Sequence, residues 1–228
     1  MNRFSLYILL VLVYLGIAKS YAPQDVGTVY LENEKTFSSF FPGAPVTVIL
    51  QDSFEKGFLI KTYYHRYLVF DVFTGPENII VRTSKSFWKK NLDNQGLSLF
   101  SRRESDFSEI LIPTVPGLIF IGDPSYGQWE YNEKNQNTWI FHRPYRHFPT
   151  VLYWGNFRPT ESLYREMQSF VAEGIVFKGP HSEFGTKGLI TQDVLKDYHG
   201  KLQKIQIKFW EHFKTLWTVP IVKGNPLL

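Results

Sequence analysis

The side chains best suited to binding chemistry lie in the aromatic-rich stretch between residues 122 and 154. Indole and phenol rings occur there together with arginine. A flat ring offers contact area to a sugar or a planar anion, and a guanidinium group adds a forked pair of hydrogen-bond donors. The alternative is that the rings form the core and rim of a β-rich domain, with arginine packed on them. The predicted ligand-binding face consists of Trp129, Trp139, Arg143, Tyr145, Arg146 and Trp154.

A second group of side chains could perform acid–base chemistry if the fold brought them into one cleft. His181 and Glu183 lie in the glycine-rich loop 179–188, which precedes a predicted helix and could act as a lid, a catalytic loop or an anion cradle. A flexible connector is the simpler interpretation of this loop. Asp123 could cleave a glycosidic bond together with a second carboxylate. The catalytic candidates are Asp123, His142, His147, His181 and Glu183.

Other kinds of chemistry are disfavoured. The chain has no cysteine, which excludes disulfides, thiolate nucleophiles and cysteine-ligated zinc or iron–sulfur clusters. His142 and His147 are five residues apart, so on a regular strand they point to opposite faces. Ser125 lacks the flanking glycines of a nucleophile elbow, and loop 179–188 does not match a phosphate-binding P-loop. We expect neither a metal nor a cofactor.

Residues 1–20 have the layout of a secretory signal peptide. Arg3 supplies a basic start, residues 6–18 form an apolar run, and Ala18 and Ser20 are small residues at the positions that a signal peptidase reads. The run is shorter than the ~20 residues of a membrane-spanning helix, so an uncleaved anchor is the less favoured alternative. We predict a mature chain of residues 21–228 that forms one domain, with a candidate internal boundary near 101–106 or 122.

The composition indicates where the protein works and which partners suit it. The formal charge of +4 includes Arg3 and Lys19, so the mature chain carries +2. This small excess gives little attraction to a phosphate backbone, and nucleic acid is not an expected partner. Export without cysteine or an Asn-x-Ser/Thr acceptor favours a bacterial periplasmic or secreted protein over a eukaryotic one. The expected partners are a glycan or an envelope protein, and the oligomeric state is left open.

Short β-rich runs separated by turn residues dominate the chain up to about residue 121. Their spacing suits an antiparallel sandwich or barrel. Residues 63–66 continue a strand or form a hairpin, and residues 84–91 form a helical turn or a bent strand edge. The predicted strands are 46–50, 58–60, 67–73, 78–81, 110–112 and 118–121.

The later part of the chain mixes strands with helices. We predict a hairpin within residues 122–147, with residues 139–146 extended, and further strands at 148–154 and 175–177. Thr160 is the expected N-cap of a helix that Gly174 ends, and Thr191 the expected N-cap of a long last helix. The basic flank of that last helix, with Trp210 and Trp217 nearby, also allows peripheral contact with an anionic membrane.

Together these elements predict a β-rich α+β domain. Its core is an antiparallel sandwich or a barrel-like sheet, and two C-terminal helices pack on it. The expected function is that of an exported cell-envelope module, which binds a glycan, a peptidoglycan fragment or a protein partner through the aromatic and arginine face. The alternative is a hydrolase of envelope polymer, which needs the histidine, glutamate and aspartate candidates in one cleft.

Overall fold

The computed structural model describes residues 3–21, 30–57 and 61–196. Helix α1 (Arg3–Tyr21) comes first, and its residues 4–15 are exposed to solvent. Within the described part of the chain, no helix combines the length and the apolar character needed to span a membrane. The domain that follows is α+β, with a mostly antiparallel six-stranded sheet that curls into a half-barrel.

The sheet has the strand order β1-β4-β3-β2-β5-β6. Every neighbouring pair is antiparallel except β1 and β4, which run parallel. The long central strands follow from runs rich in Val, Ile, Tyr and Phe, which fit a pleated surface. The bounds are β1 (Tyr30–Leu31), β2 (Val46–Lys56), β3 (Thr62–Asp71), β4 (Gly75–Thr83), β5 (Ser98–Arg102) and β6 (Glu109–Ile110).

Most of the strands predicted before residue 115 are confirmed. Residues 46–50 begin β2, residues 63–66 continue β3, and residues 78–81 lie within β4. Residues 84–91 are helical, because Ser84 caps a short helix. The predicted strand 118–121 is wrong: residues Leu118–Phe120 form a 3-10 turn that buries three consecutive apolar side chains. Residues 58–60 lie outside the described part of the chain.

The two faces of the sheet are covered by different parts of the chain. We call the face that α2 (Thr36–Phe40) and α3 (Lys85–Lys90) cover the helix face. Its buried cluster includes Phe37, Val48 and Tyr67. The opposite face, here called the hairpin face, presents alternate residues of the same strands, such as Ile49 and Phe70, and the segment from Val115 to Phe184 packs on it.

The layer on the hairpin face begins with the expected hairpin. Short helices follow the hairpin, and residues 189–196 form a last described helix. The predicted continuation of that helix lies outside the described residues. The elements are β7 (Gly127–Tyr131), β8 (Asn137–Phe141), a 3-10 turn (Arg143–Tyr145), α4 (Phe148–Val151) and α5 (Glu161–Ala172).

Three local predictions in this layer are wrong, and proline accounts for two of them. Residues 139–146 are not one strand, because β8 ends at Phe141 and Pro144 lies in the 3-10 turn. Residues 148–154 begin as helix α4, in which Pro149 occupies the first turn, where its missing N–H costs nothing. Residues 175–177 form no strand.

Of the two predicted helix N-caps, Thr160 is correct and Thr191 is wrong. The Thr160 side chain accepts a hydrogen bond from the Leu163 N–H at 3.3 Å, and Gly174 ends α5 with φ of +72°. Thr191, in contrast, lies inside the last described helix, which begins at residue 189. Thr191 is buried against Gly96, where an added Cβ would meet the threonine hydroxyl at 2.2 Å.

Candidate functional site

Two tryptophans of the predicted ligand-binding face belong to the core. Trp154 is 1% exposed, and its indole N–H donates to the Pro116 carbonyl at 2.8 Å. Trp139 is 3% exposed and packs edge-on against Trp129 and Phe141. A ligand approaching from solvent does not reach either ring in this structure.

The other four predicted side chains reach the surface but do not form one face. Arg143 and Arg146 are exposed on the 3-10 turn after β8. Tyr145 is half-buried against Tyr126 and Phe148. The expected alternation of Trp139, Arg143 and Tyr145 fails because the strand ends before the arginine. Trp129 stays on the hairpin, half-buried and close to helix α5.

The acid–base candidates fall into separate local groups. The His142 ring nitrogen Nε2 lies 3.0 Å from the Pro124 carbonyl oxygen, and Asp123 accepts from the Ser125 N–H at 2.9 Å. His147 packs edge-on against Phe148. In the loop, the backbone N–H of His181 donates to the Glu183 carboxylate at 3.0 Å. Among the described residues, no group of three His, Asp or Glu side chains could hold a metal ion.

The glycine-rich loop is closed by its own hydrogen bonds. The Ile190 N–H, at the start of the last described helix, donates to the Glu183 carbonyl at 3.0 Å. The Thr186 hydroxyl donates to the Leu92 carbonyl at 2.5 Å, which docks the loop on the segment after α3. A cavity of about 280 Å³ remains between Asp93 and the loop. The loop is therefore a structured connector in which part of the helix N-terminus is already occupied.

A polar depression lies where the hairpin meets helix α5. The Trp139 N–H donates to the Pro159 carbonyl at 2.9 Å, and Thr138 forms a β-bridge with Thr160. These backbone contacts join the hairpin to the N-terminus of α5. We call the depression the hairpin groove; it has a volume of about 500 Å³ and is lined by Gln136, Asn137, Thr160, Glu161, Ser162 and Arg165.

A second depression of about 360 Å³ continues the hairpin groove along the hairpin turn. The two share Gln136 and Thr160, so they form one polar surface. Carboxamides, hydroxyls and both signs of charge line it, and these groups donate and accept hydrogen bonds in many directions. The lining of this second part is Asn132, Glu133, Lys134, Gln136, Thr138, Asn156, Arg158 and Thr160.

The polar side chains of the groove are held in place by one another. The Asn137 amide donates to Glu161 at 2.7 Å, and the Arg165 guanidinium donates to the other carboxylate oxygen at 2.6 Å. The Asn132 side chain accepts from two backbone N–H groups of the turn, at Lys134 and Gln136, each at 2.9 Å. Such contacts fix side-chain geometry before a ligand arrives, which lowers the entropy cost of binding.

The charge state of Glu161 is set by its hydrogen-bond partners in the groove. The hydrogen bonds from Asn137 and Arg165 hold the pKa of the Glu161 carboxyl below its usual value. The carboxyl is therefore ionised at neutral pH and acts as a hydrogen-bond acceptor. A general acid for glycoside cleavage needs the opposite shift, toward a raised pKa.

An exposed aromatic ring stands beside the groove. Tyr131 is the cross-strand partner of Asn137, so the two side chains lie on the same face of the hairpin. Tyr131 is 74% exposed. Two residues earlier on that face, the Trp129 ring lies 5.8 Å from the Tyr164 ring of α5. The groove thus has amides, a carboxylate, a guanidinium group and a flat apolar surface within one region.

The sequence prediction identified only Trp129 from this region. The sequence predicts a hairpin within residues 122–147 and a helix that Thr160 caps, but it assigns no binding role to the hairpin turn or to the first turn of that helix. The available signal was the high density of carboxamides in that turn, next to Tyr131, and it becomes informative only when α5 is known to face the hairpin. Comparison with known proteins identifies no relative, since no family model, curated protein or solved structure matches the chain.

Proposed function

We propose that the protein is a non-enzymatic binding module that holds a glycan in the hairpin groove. The carrying observation is the pre-positioned set of Asn137, Glu161 and Arg165, next to the exposed ring of Tyr131. A sugar presents hydroxyl groups at its edge and C–H groups on its face. The polar set matches the hydroxyls, and the tyrosine ring matches the C–H face.

The proposed class of ligand includes glycan chains of the bacterial cell envelope, because the N-terminal segment predicts export. Peptidoglycan fragments belong to this class. The hydrolase alternative has weaker support, because its acid–base candidates make separate local contacts, Asp123 and His142 with the segment 124–125, and His181 with Glu183 in the loop.

The test is isothermal titration calorimetry of the full chain with N-acetylglucosamine tetramer and with maltotetraose. We expect Tyr131→Ala to weaken binding roughly two- to tenfold, because an aromatic stack is worth about 0.5–1.5 kcal/mol. Arg165→Ala should weaken binding as well, because it removes a donor and frees Glu161. The matched control is Phe73→Ala, which removes an equally exposed ring from the β3–β4 turn.

Both ring substitutions should leave the free energy of unfolding within about 0.5 kcal/mol of the wild type, because the rings are exposed. Loss of sugar binding in Tyr131→Ala alone supports the groove as the site. Equal affinity of wild type and Tyr131→Ala contradicts the proposal. Failure of the wild type to bind either tetramer removes neutral glycans of these two types as ligands.

A further inference from the structure

A second surface of the molecule combines aromatic rings with positive charge, away from the hairpin groove. It lies at the end of the sheet where β2 ends and β3 begins. Phe54 pairs with Tyr64, and Arg82 pairs with both Tyr64 and Tyr30 across neighbouring strands, so these side chains share the hairpin face of the sheet. We call this surface the aromatic–basic end; its members are Tyr30, Phe54, Lys56, Tyr64, Arg66, Ile80 and Arg82.

The cations at the aromatic–basic end are supported by the rings beneath them. The Phe54 and Tyr64 rings stack with centroids 5.4 Å apart. The Lys56 ammonium lies 5.1 Å from the centre of the Tyr64 ring, and the Arg66 guanidinium lies 5.7 Å from that of Phe54. Each ring face attracts the charge above it. The arrangement therefore holds positive groups over a low-polarity floor.

The third cation, Arg82, lies next to exposed apolar side chains. Arg82 lies over the Tyr30 ring at 6.0 Å. Tyr30 is 52% exposed, and Ile80, between the cations on the same face, is 44% exposed. The acidic side chain in register with this group is Asp52, the cross-strand partner of Arg66. With three cations to one carboxylate, the aromatic–basic end suits an anionic partner that also accepts apolar side chains.

The path of the chain indicates what that partner is. The chain enters the sheet at Tyr30, within the aromatic–basic end, and only eight residues separate Tyr30 from the end of α1 at Tyr21. A link of this length spans at most ~30 Å. The exposed residues 4–15 of α1 are almost all apolar, and transfer of such a surface from water into lipid is favourable. Partition of α1 into lipid therefore brings the aromatic–basic end close to the headgroups.

We propose that the aromatic–basic end docks on an anionic phospholipid surface while the chain carries α1. Lys56 and Arg82 contact lipid phosphates, and Tyr30 and Ile80 enter the interfacial layer. Aromatic and basic side chains together are typical of protein surfaces at this depth of a bilayer. The proposal applies to the full chain, including a precursor that still has its signal segment, and it is independent of glycan binding in the hairpin groove.

The test is co-sedimentation of the full chain with phosphatidylcholine vesicles and with vesicles that also contain phosphatidylglycerol. We expect the wild type to bind the phosphatidylglycerol vesicles more tightly, with a difference that falls as salt is added. The double substitution Lys56→Glu/Arg82→Glu should lower this binding by roughly tenfold or more, because each basic residue near an anionic surface contributes about fivefold or more to the affinity. All variants keep α1, so the contribution of α1 to vesicle binding is the same in each of them and does not affect the comparison.

The matched control is Arg143→Glu/Arg146→Glu, which makes the same change of net charge on exposed arginines of the 3-10 turn. The control should bind like the wild type. Equal loss in both double variants means that net charge alone governs binding and overturns the proposal. Unchanged binding of Lys56→Glu/Arg82→Glu also overturns it. Neutral Lys56→Gln/Arg82→Gln replaces the first variant if that one does not fold.

A further arm separates lipid from nucleic acid. The wild type and the two double variants are titrated with a fluorescent oligothymidylate, which offers phosphates and stacking bases without a bilayer. Weak oligonucleotide binding beside strong phosphatidylglycerol binding supports the lipid surface. Tight oligonucleotide binding that depends on Lys56 and Arg82, without a preference for phosphatidylglycerol, assigns the surface to single-stranded nucleic acid and overturns the lipid proposal.

Discussion

The helix face and the hairpin face of the sheet are closed in different ways. On the helix face, α2 and α3 lie close in sequence to the strands they cover, and Phe37 stacks on Phe100 at the centre of the cluster. Arg102 seals the edge, because its guanidinium donates to the Ser38 carbonyl at 3.0 Å and to Glu109 at 2.7 Å. On the hairpin face, one long segment covers the centre of the sheet and stops short of its aromatic–basic end.

This difference teaches where binding surfaces arise in this fold. On the helix face, two short helices that are local in sequence cover the sheet and pack on its buried cluster. The long segment on the hairpin face leaves a rim, and both candidate surfaces lie at that rim. The hairpin groove opens where β8 meets α5, and the aromatic–basic end lies where the covering layer ends. In this fold, a segment with many aromatic residues is mostly buried core. The candidate binding surfaces are the places at the rim where an exposed ring has polar or charged neighbours.

The largest expected effect tests whether the segment on the hairpin face is part of one cooperative core. Trp154→Ala removes a fully buried indole and leaves the Pro116 carbonyl without its donor. We expect a loss of about 4 kcal/mol in the free energy of unfolding, measured by urea denaturation. A loss below about 1 kcal/mol would show that this layer opens without disturbing the sheet, and would contradict the view that it closes the hairpin face.

The helix face should respond most strongly to acid. Burial lowers the pKa of His65 to about 3, and its Nδ1 lies 2.7 Å from the Tyr67 hydroxyl oxygen. In the unfolded chain the imidazole takes up a proton near its ordinary pKa of 6.5, so stability is lost as the pH falls from about 6.5 toward about 3. At pH 4 this one group should cost about 3 kcal/mol relative to pH 7.

The variant His65→Leu separates this contribution from those of the carboxylates. It removes the titrating ring, so the difference in unfolding free energy between pH 7 and pH 4 should shrink by about the same 3 kcal/mol. Urea denaturation of both proteins at the two pH values measures that difference. An equally steep loss in His65→Leu would assign the acid sensitivity to other groups, such as Glu109, whose pKa is lowered by its bonds to Ser38 and Arg102.

The smallest effect compares one helix cap on each face. Ser84 accepts from the Phe87 N–H at 3.1 Å at the start of α3, and Thr160 plays the same role for α5. Ser84→Ala and Thr160→Ala should each cost about 1 kcal/mol of stability by thermal unfolding. Only Thr160→Ala should also weaken sugar binding, because Thr160 lines the hairpin groove. If both variants bind the sugar equally well, the Thr160 side chain caps α5 but takes no part in sugar binding.

Local patterns made the sheet predictable. Runs of β-branched and aromatic residues identified the first half of β2, the second half of β3 and the centre of β4, and Thr160 and Gly174 correctly marked the two ends of α5. The same reasoning failed at residues 118–121 and 148–154, where a short apolar run is compatible with a strand or with a buried turn of helix. Pro149 was the available signal for the helix.

The candidate site was less predictable than the fold. Trp139 and Trp154 could equally be ligand contacts or core residues, because an indole ring suits both roles and the sequence does not show which face is covered. Asn137, Glu161 and Arg165 were not singled out, since they lie on a strand and a helix separated by more than twenty residues of sequence. Their common role depends on the contact between the hairpin and α5.

The sequence by itself determined the α+β class, the alternating central strands, the hairpin and the limits of α5, because these depend on neighbours within a few residues. The lack of cysteine in the sequence also excluded disulfides, thiolate nucleophiles and cysteine-ligated metal sites. Only the tertiary structure decided which aromatic rings are buried, where β8 ends in space, and which polar side chains meet in the hairpin groove. Those outcomes depend on which segment covers which face of the sheet, and that is set by packing between residues far apart in the chain.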